Sequence, residues 1–250
     1  MRDPIESSER RPFNYFRIAW RSALAAGICL GLPIALMFWV LVLSKLPPSA
    51  SIHNVLVLLQ DTWFPFANPS QPSTPVHDFL MTLQMYVTPA SIALTLGVLS
   101  WSLLLGRISG YRKWSWIALA GMAGVFIGQA PIGLLDERLQ QPFYGWPVHM
   151  RFALFLTLSV FCVAASTGLA LGLLVRSWKA SLMLAAGSGL ASAMAVIAVD
   201  IILDILGLRV GRGNLAMPKV TAVGTLAAAI AGGMVLGVLF SRYYFKRNYD

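Results

Sequence analysis

Residues 181–206 read SLMLAAGSGLASAMAVIAVDIILDIL, and the first 19 of them carry no charge at all. As an α-helix rising 1.5 Å per residue, this stretch is about 39 Å long, enough to cross the roughly 30 Å hydrocarbon core of a bilayer. Its only charged residues, Asp200 and Asp204, stand near one end. A helix that is apolar on every face is hidden either in the core of a large soluble protein or in lipid. The whole 250-residue chain decides between them. It is 57% hydrophobic and 12% charged, with a mean hydropathy of +0.70, and the charged fraction is about half that of a soluble globule. The sequence therefore predicts an all-α, polytopic membrane protein.

Five further apolar runs flank the first, giving six in all: approximately Ser22–Leu46, Met85–Leu105, Trp114–Leu135, Phe152–Val175, Ser181–Leu206 and Val220–Phe240. The expected architecture is a six-transmembrane-helix bundle over residues 22–240, treated as one domain. A basic flank (1–21) precedes it, a long first outer loop (47–84) interrupts it, and a short tail (241–250) follows. If the N-terminus is cytoplasmic, 13 of the 19 lysines and arginines fall on the inner side, among them Arg17, Arg21, Arg107, Arg112, Arg176 and Arg242. That bias predicts a plasma (inner) membrane protein with both termini cytoplasmic. The net charge of +9 is scattered over the ends of apolar segments, so it points to a membrane surface and excludes nucleic acid as a partner. Arg10-Arg11-Pro12-Phe13 partly matches a twin-arginine export signal, but the run that follows is too long for a cleavable segment.

The inner loops are very short, whereas the first outer loop contains an apolar stretch, Ile52–Phe64, that ends in Pro65. It is too short to span and is expected to form an interfacial or re-entrant helix. Small residues recur every four positions, including Gly168 and Gly172 and the row Gly224, Ala228 and Gly232. Such rows let helix backbones approach where lipid offers no hydrophobic drive for association. Pro33 and Pro131 are expected to kink their helices or free a carbonyl. Cys29 and Cys162 show no metal-ligand spacing and read as buried apolar side chains.

Asp200 and Asp204 are the acids inside a predicted span, and their i, i+4 spacing places both on one helix face. A carboxylate there takes up a proton, holds a cation or receives a basic group. Gln129 lies at a similar expected depth, and Arg209 and Arg212 follow on the outer side, where they can neutralise the acids. These five residues form the candidate ion, proton or substrate site. The stretches Asp136-Glu137-Arg138 and His149-Met150-Arg151 read as outer-loop residues on the same side.

Several enzyme classes are excluded by missing groups. The histidines His53, His77 and His149 fall outside the span interiors, so no histidine pair can hold a mid-membrane haem. Ala186-Gly187-Ser188-Gly189 resembles the serine motif of rhomboid-type proteases, but no histidine follows to act as base. No nucleotide loop is present, and the sequence names no cofactor.

Two functions lead, with an enzyme on lipid-linked phosphate as a third reading. The first is a small transporter or the membrane-embedded substrate-binding subunit of one, with a small molecule or ion as substrate. Six spans, a long first outer loop and a small-residue row on the first helix are similar, in architecture alone, to the substrate-binding subunits of energy-coupling-factor vitamin transporters. The second is a non-catalytic accessory or scaffold subunit of a larger membrane complex, with the bilayer and other membrane proteins or further copies as partners. An enzyme on lipid-linked phosphate, with the two aspartates on a divalent cation, lacks a full aspartate-rich motif.

Overall fold

A computed structural model describes residues 14–36, 89–140, 145, 148–207 and 216–249, and among these the only regular structure is helix. Six helices follow in order: α1 (Tyr15–Leu36), α2 (Pro89–Ser109), α3 (Trp114–Gln140), α4 (Val148–Leu174), α5 (Trp178–Ile205) and α6 (Ala216–Tyr249). Tyr15–Leu36, Ala153–Leu174, Trp178–Ile205 and Val220–Phe245 are long and apolar enough to cross a membrane, while Thr95–Ser109 and Trp114–Gly128 are shorter apolar segments. The chain thus has the build of a helical membrane protein. The long first outer loop and the Ile52–Phe64 stretch lie outside the described residues, as does the twin-arginine segment.

Helix ends differ from the apolar runs because caps and packing set them, not hydropathy. α1 begins at Tyr15 because the Asn14 side chain accepts a hydrogen bond from the Arg17 N–H at 2.9 Å, capping the first turn. α6 continues to Tyr249, past the end of its apolar run. Asp136–Arg138 and His149–Arg151, read as loop residues, belong to α3 and α4. The reading failed there because a helix emerging from lipid need not end where its hydrophobicity does.

Successive helices run antiparallel from α2 to α6, and α1 packs against both α6 and α2, so the six close into a ring. The start of α1, the α2–α3 and α4–α5 turns and the end of α6 share one end of the bundle, here the termini end. The two turns are tight, using left-handed backbone at Gly110 (φ +71°) and Arg176 (φ +54°).

Along α5, large side chains face outward and small ones inward. Leu190, Met194, Ile197, Ile201 and Ile205 are exposed, whereas Ser181, Ser188, Ser192 and Val196 are buried. This is the reverse of a water-soluble helix and suits lipid, where close backbone approach does the work of association. Gly168 lies against the backbone of Leu184 and Ala185, and Gly172 against Ser181, so α4 and α5 touch main chain to main chain. Gly124 and Gly128 bring α3 equally close to Thr167 and Val163 of α4.

α1 carries a π-helical turn at Gly27–Gly31, where the Leu32 N–H reaches back to the Gly27 carbonyl. Pro33, four residues beyond Cys29, has no N–H to offer that residue's carbonyl. The Cys29 oxygen instead lies against Gly97 of α2, so close that any Cβ there would overlap it. Both cysteines are free thiols and half-buried, less enclosed than the sequence suggested.

At the termini end the interior is solid. Trp101, Leu105, Ile117, Leu171, Val175, Leu236 and Phe240 form one buried cluster joining α2, α3, α4 and α6. Tyr111 packs edge-on against Phe240 and Tyr244 and closes the cluster at its rim.

Candidate functional site

The same helices leave a hollow beyond that cluster. A cavity of about 310 Å³ lies within the bundle, and every one of the six helices contributes to its lining. Ala26, Leu30 and Ile34 come from α1, Val98 and Trp101 from α2, and Gly121 and Val125 from α3. α4 supplies Leu156 through Thr167 on one face, α5 supplies Ser192, and α6 supplies residues from Thr221 to Leu236. The buried Trp101 and Leu236 belong also to the solid cluster, so they form the floor. The volume is roughly twice that of an apolar cavity that accepts benzene and stands at the lower limit for small-molecule pockets.

No charged side chain is among the lining residues described. An ion entering would lose its hydration without a compensating charge, so the site suits an uncharged molecule. Its polarity comes from hydroxyls, and most of their protons are already committed. Thr167 donates to the Val163 carbonyl at 2.8 Å, Thr225 to Thr221 at 2.6 Å and Ser192 across to Ala228 of α6 at 3.1 Å. What these oxygens still offer is lone pairs. The cavity therefore presents chiefly acceptors on an apolar wall, with Ser159 as a further hydroxyl, and a matching ligand carries a hydrogen-bond donor on an apolar body.

The residues singled out in the sequence lie partly elsewhere. Asp200 is half-buried in the last turns of α5 with its Oδ1 shielded from solvent, and Asp204 is exposed one turn further on. Neither lines the cavity. Gln129 falls within α3, its side chain outside the described residues, and Arg209 and Arg212 lie outside them altogether. Among the packing residues, Gly232 meets Ser192 and also lines the cavity, as does the buried Ala228. Gly224 has only ordinary contacts, with Leu156 and Val196.

The sequence put Arg151 on the side of the aspartates as a loop residue, but not on a helix at the level of Asp200. The α4–α5 register, fixed by Ser188 Oγ donating to the Ala164 carbonyl at 2.8 Å and by Gly172 against Ser181, brings Arg151 to the level of Asp200. The Arg151 Nε is shielded from solvent too. Aligning the row Ala164, Gly168, Gly172 against Ser181, Ala185, Ser188 in antiparallel sense would have found this neighbour.

Ser188, of the protease-like motif, is fully buried and directs its hydroxyl to the carbonyls of Leu184 and Ala164. It holds two helices together and offers no nucleophile to a substrate. Among the described residues no group of three or more His, Cys, Asp or Glu side chains gathers as a metal site. No protein-family model, curated protein or solved structure matches this chain, so its cavity has no characterised counterpart among them.

Proposed function

We propose that this chain is a six-span protein of the plasma membrane, both termini cytoplasmic, acting as a small transporter or as the membrane-embedded substrate-binding subunit of one. The observation that carries this reading is the uncharged, hydroxyl-dotted cavity lined by all six helices. A scaffold needs packing faces and gains nothing from a void, because the atoms around it forfeit dispersion contacts. A binding protein keeps the void and fills it with ligand. The substrate class that fits is a small uncharged molecule, largely apolar, with one or two hydrogen-bond donors. Asp200 and Asp204 are retained as a proton or ion site beyond the cavity, at the level of Arg151, with Gln129, Arg209 and Arg212 as proposed neighbours.

The test uses 1-aminoanthracene, an uncharged fluorophore with an apolar body and an amine donor, added to the purified protein in mild detergent. Saturable fluorescence enhancement is expected for the wild type and is lost in Val160→Trp, whose indole occupies the cavity. Equal enhancement in both proteins refutes the cavity as the binding site, and no saturable enhancement in the wild type refutes the ligand class. For orientation, cysteine probes at positions 68–75 should be labelled from outside the cell and those at 106–113 protected. The opposite pattern would invert the proposed topology.

A further inference from the structure

A second recess opens at the termini end, where α2 turns into α3. It is a groove of about 310 Å³ lined by Leu103, Gly106, Arg107, Gly110, Tyr111, Arg112 and Trp114. The left-handed Gly110 reverses the chain tightly enough to set Arg107, in the last turn of α2, and Arg112, just before α3, on the same recess. Both arginines are exposed, and neither has an acidic partner among the described residues. The surroundings do not neutralise them either. Arg17, Arg21, Lys113, Arg176, Lys179 and Arg242 lie at the same end of the bundle, while the described acids Asp200 and Asp204 lie at the other.

Two features separate this groove from a site for a soluble anion. Leu96, Leu99, Leu103 and Arg107 share one face of α2, spaced three or four residues apart, and Leu96 and Leu99 are exposed. An apolar track thus leads along the helix surface straight to the guanidinium. The rim is set by the exposed Trp114, with Trp116, Trp20 and Trp178 exposed at the same end, the position that indole rings take at a membrane–water interface.

We propose that this groove binds an anionic phospholipid, its phosphodiester held between Arg107 and Arg112 and an acyl chain laid along Leu103, Leu99 and Leu96. Guanidinium groups suit phosphate oxygens because their planar donors pair with two oxygens at once. Basic recesses between helices at the cytoplasmic boundary are where such headgroups are held. Tyr111 backs the groove and ties its occupancy to the buried cluster through Phe240.

The test is the melting temperature of delipidated protein in mild detergent, with phosphatidylglycerol, phosphatidylcholine or inorganic phosphate added at equal concentration. Phosphatidylglycerol is expected to raise it by about 5 °C near saturation, and the other two by less than about 1 °C. Arg107→Gln with Arg112→Gln abolishes the increment; Arg17→Gln with Arg21→Gln, at the same end but outside the groove, retains it. The proposal is overturned if phosphatidylglycerol gives no increment, if inorganic phosphate reproduces it, if the groove variant retains it or if the control variant loses it. Should the groove variant not fold, quenching decides. Brominated phosphatidylglycerol should quench wild-type tryptophan fluorescence more than brominated phosphatidylcholine, and Trp114→Phe should remove most of that difference. Equal quenching by the two lipids overturns the proposal, as does a difference that Trp114→Phe leaves intact.

Discussion

Around Phe240 the interior of the bundle is filled by Trp101, Leu105, Leu171 and Val175; fifteen residues back along the same helix, about 22 Å away, Thr225 faces an open cavity. The same helices meet the same neighbours in both places, so topology does not explain the contrast. Side-chain size does. The termini half presents aromatic and branched residues from several helices to one point, whereas the other half presents Gly232, Gly233, Ala228, Ala229 and hydroxyls. In water such a hollow would favour collapse. In lipid, apolar surface gains nothing by leaving the solvent, so a framework held by close backbone contacts can keep a cavity open at the cost of dispersion contacts alone.

Removing the keystone of the solid half should have the largest effect. Phe240 is fully buried and packs edge-on to Tyr111, so Phe240→Ala should cost about 3 kcal/mol, the lower end of the range for buried aromatics because lipid competes for the lost surface. A drop in detergent melting temperature of less than a degree would show that this half is not close-packed.

Next comes the seam that holds both halves. A Cβ on Gly172 would meet the Ser181 backbone as well as its hydroxyl, and backbone atoms cannot swing aside as a side chain can. Gly172→Ala should therefore destabilise by about 1 to 3 kcal/mol. Circular-dichroism melting in parallel with the wild type measures it, and an unchanged curve would mean that α4 and α5 stand further apart.

The same substitution in the hollow half should have the opposite sign. At Gly224 a Cβ finds its first neighbour at 3.5 Å, an ordinary contact, so Gly224→Ala should stabilise by about 0.5 kcal/mol through reduced backbone entropy of the unfolded chain. Destabilisation would show that this row, too, is a tight seam.

The smallest effect concerns pH. Burial raises the Tyr111 phenol above its ordinary value, the neighbouring Tyr244 raises it further and Arg176 opposes. A raised folded value favours the neutral form, so its contribution to stability is complete below the ordinary phenol range near pH 10. It is lost as pH rises through the folded value. The decline of melting temperature between about pH 9 and 11.5 should be shallower for Tyr111→Phe than for the wild type, and identical profiles would remove Tyr111 as the cause.

The position of each apolar helix and the recurring glycines are local properties. Each apolar helix can be read in a window of about 20 residues, and the composition of the whole chain decides for lipid over a soluble core. A disturbance of α1 could be read from Pro33, although not that the Cys29 carbonyl would lie against Gly97. Helix ends were less legible, since Asn14 caps a turn that hydropathy gives no reason to start and α6 outruns its apolar stretch. The cavity, the level shared by Arg151 and Asp200, and the pairing of Arg107 with Arg112 on one groove were not legible. Each depends on the rotational phase of several helices about their axes, and that phase is set by which glycine meets which backbone across the bundle. Sequence determined that the chain is built of apolar helices suited to a membrane, and tertiary packing alone decided which of their faces enclose a space.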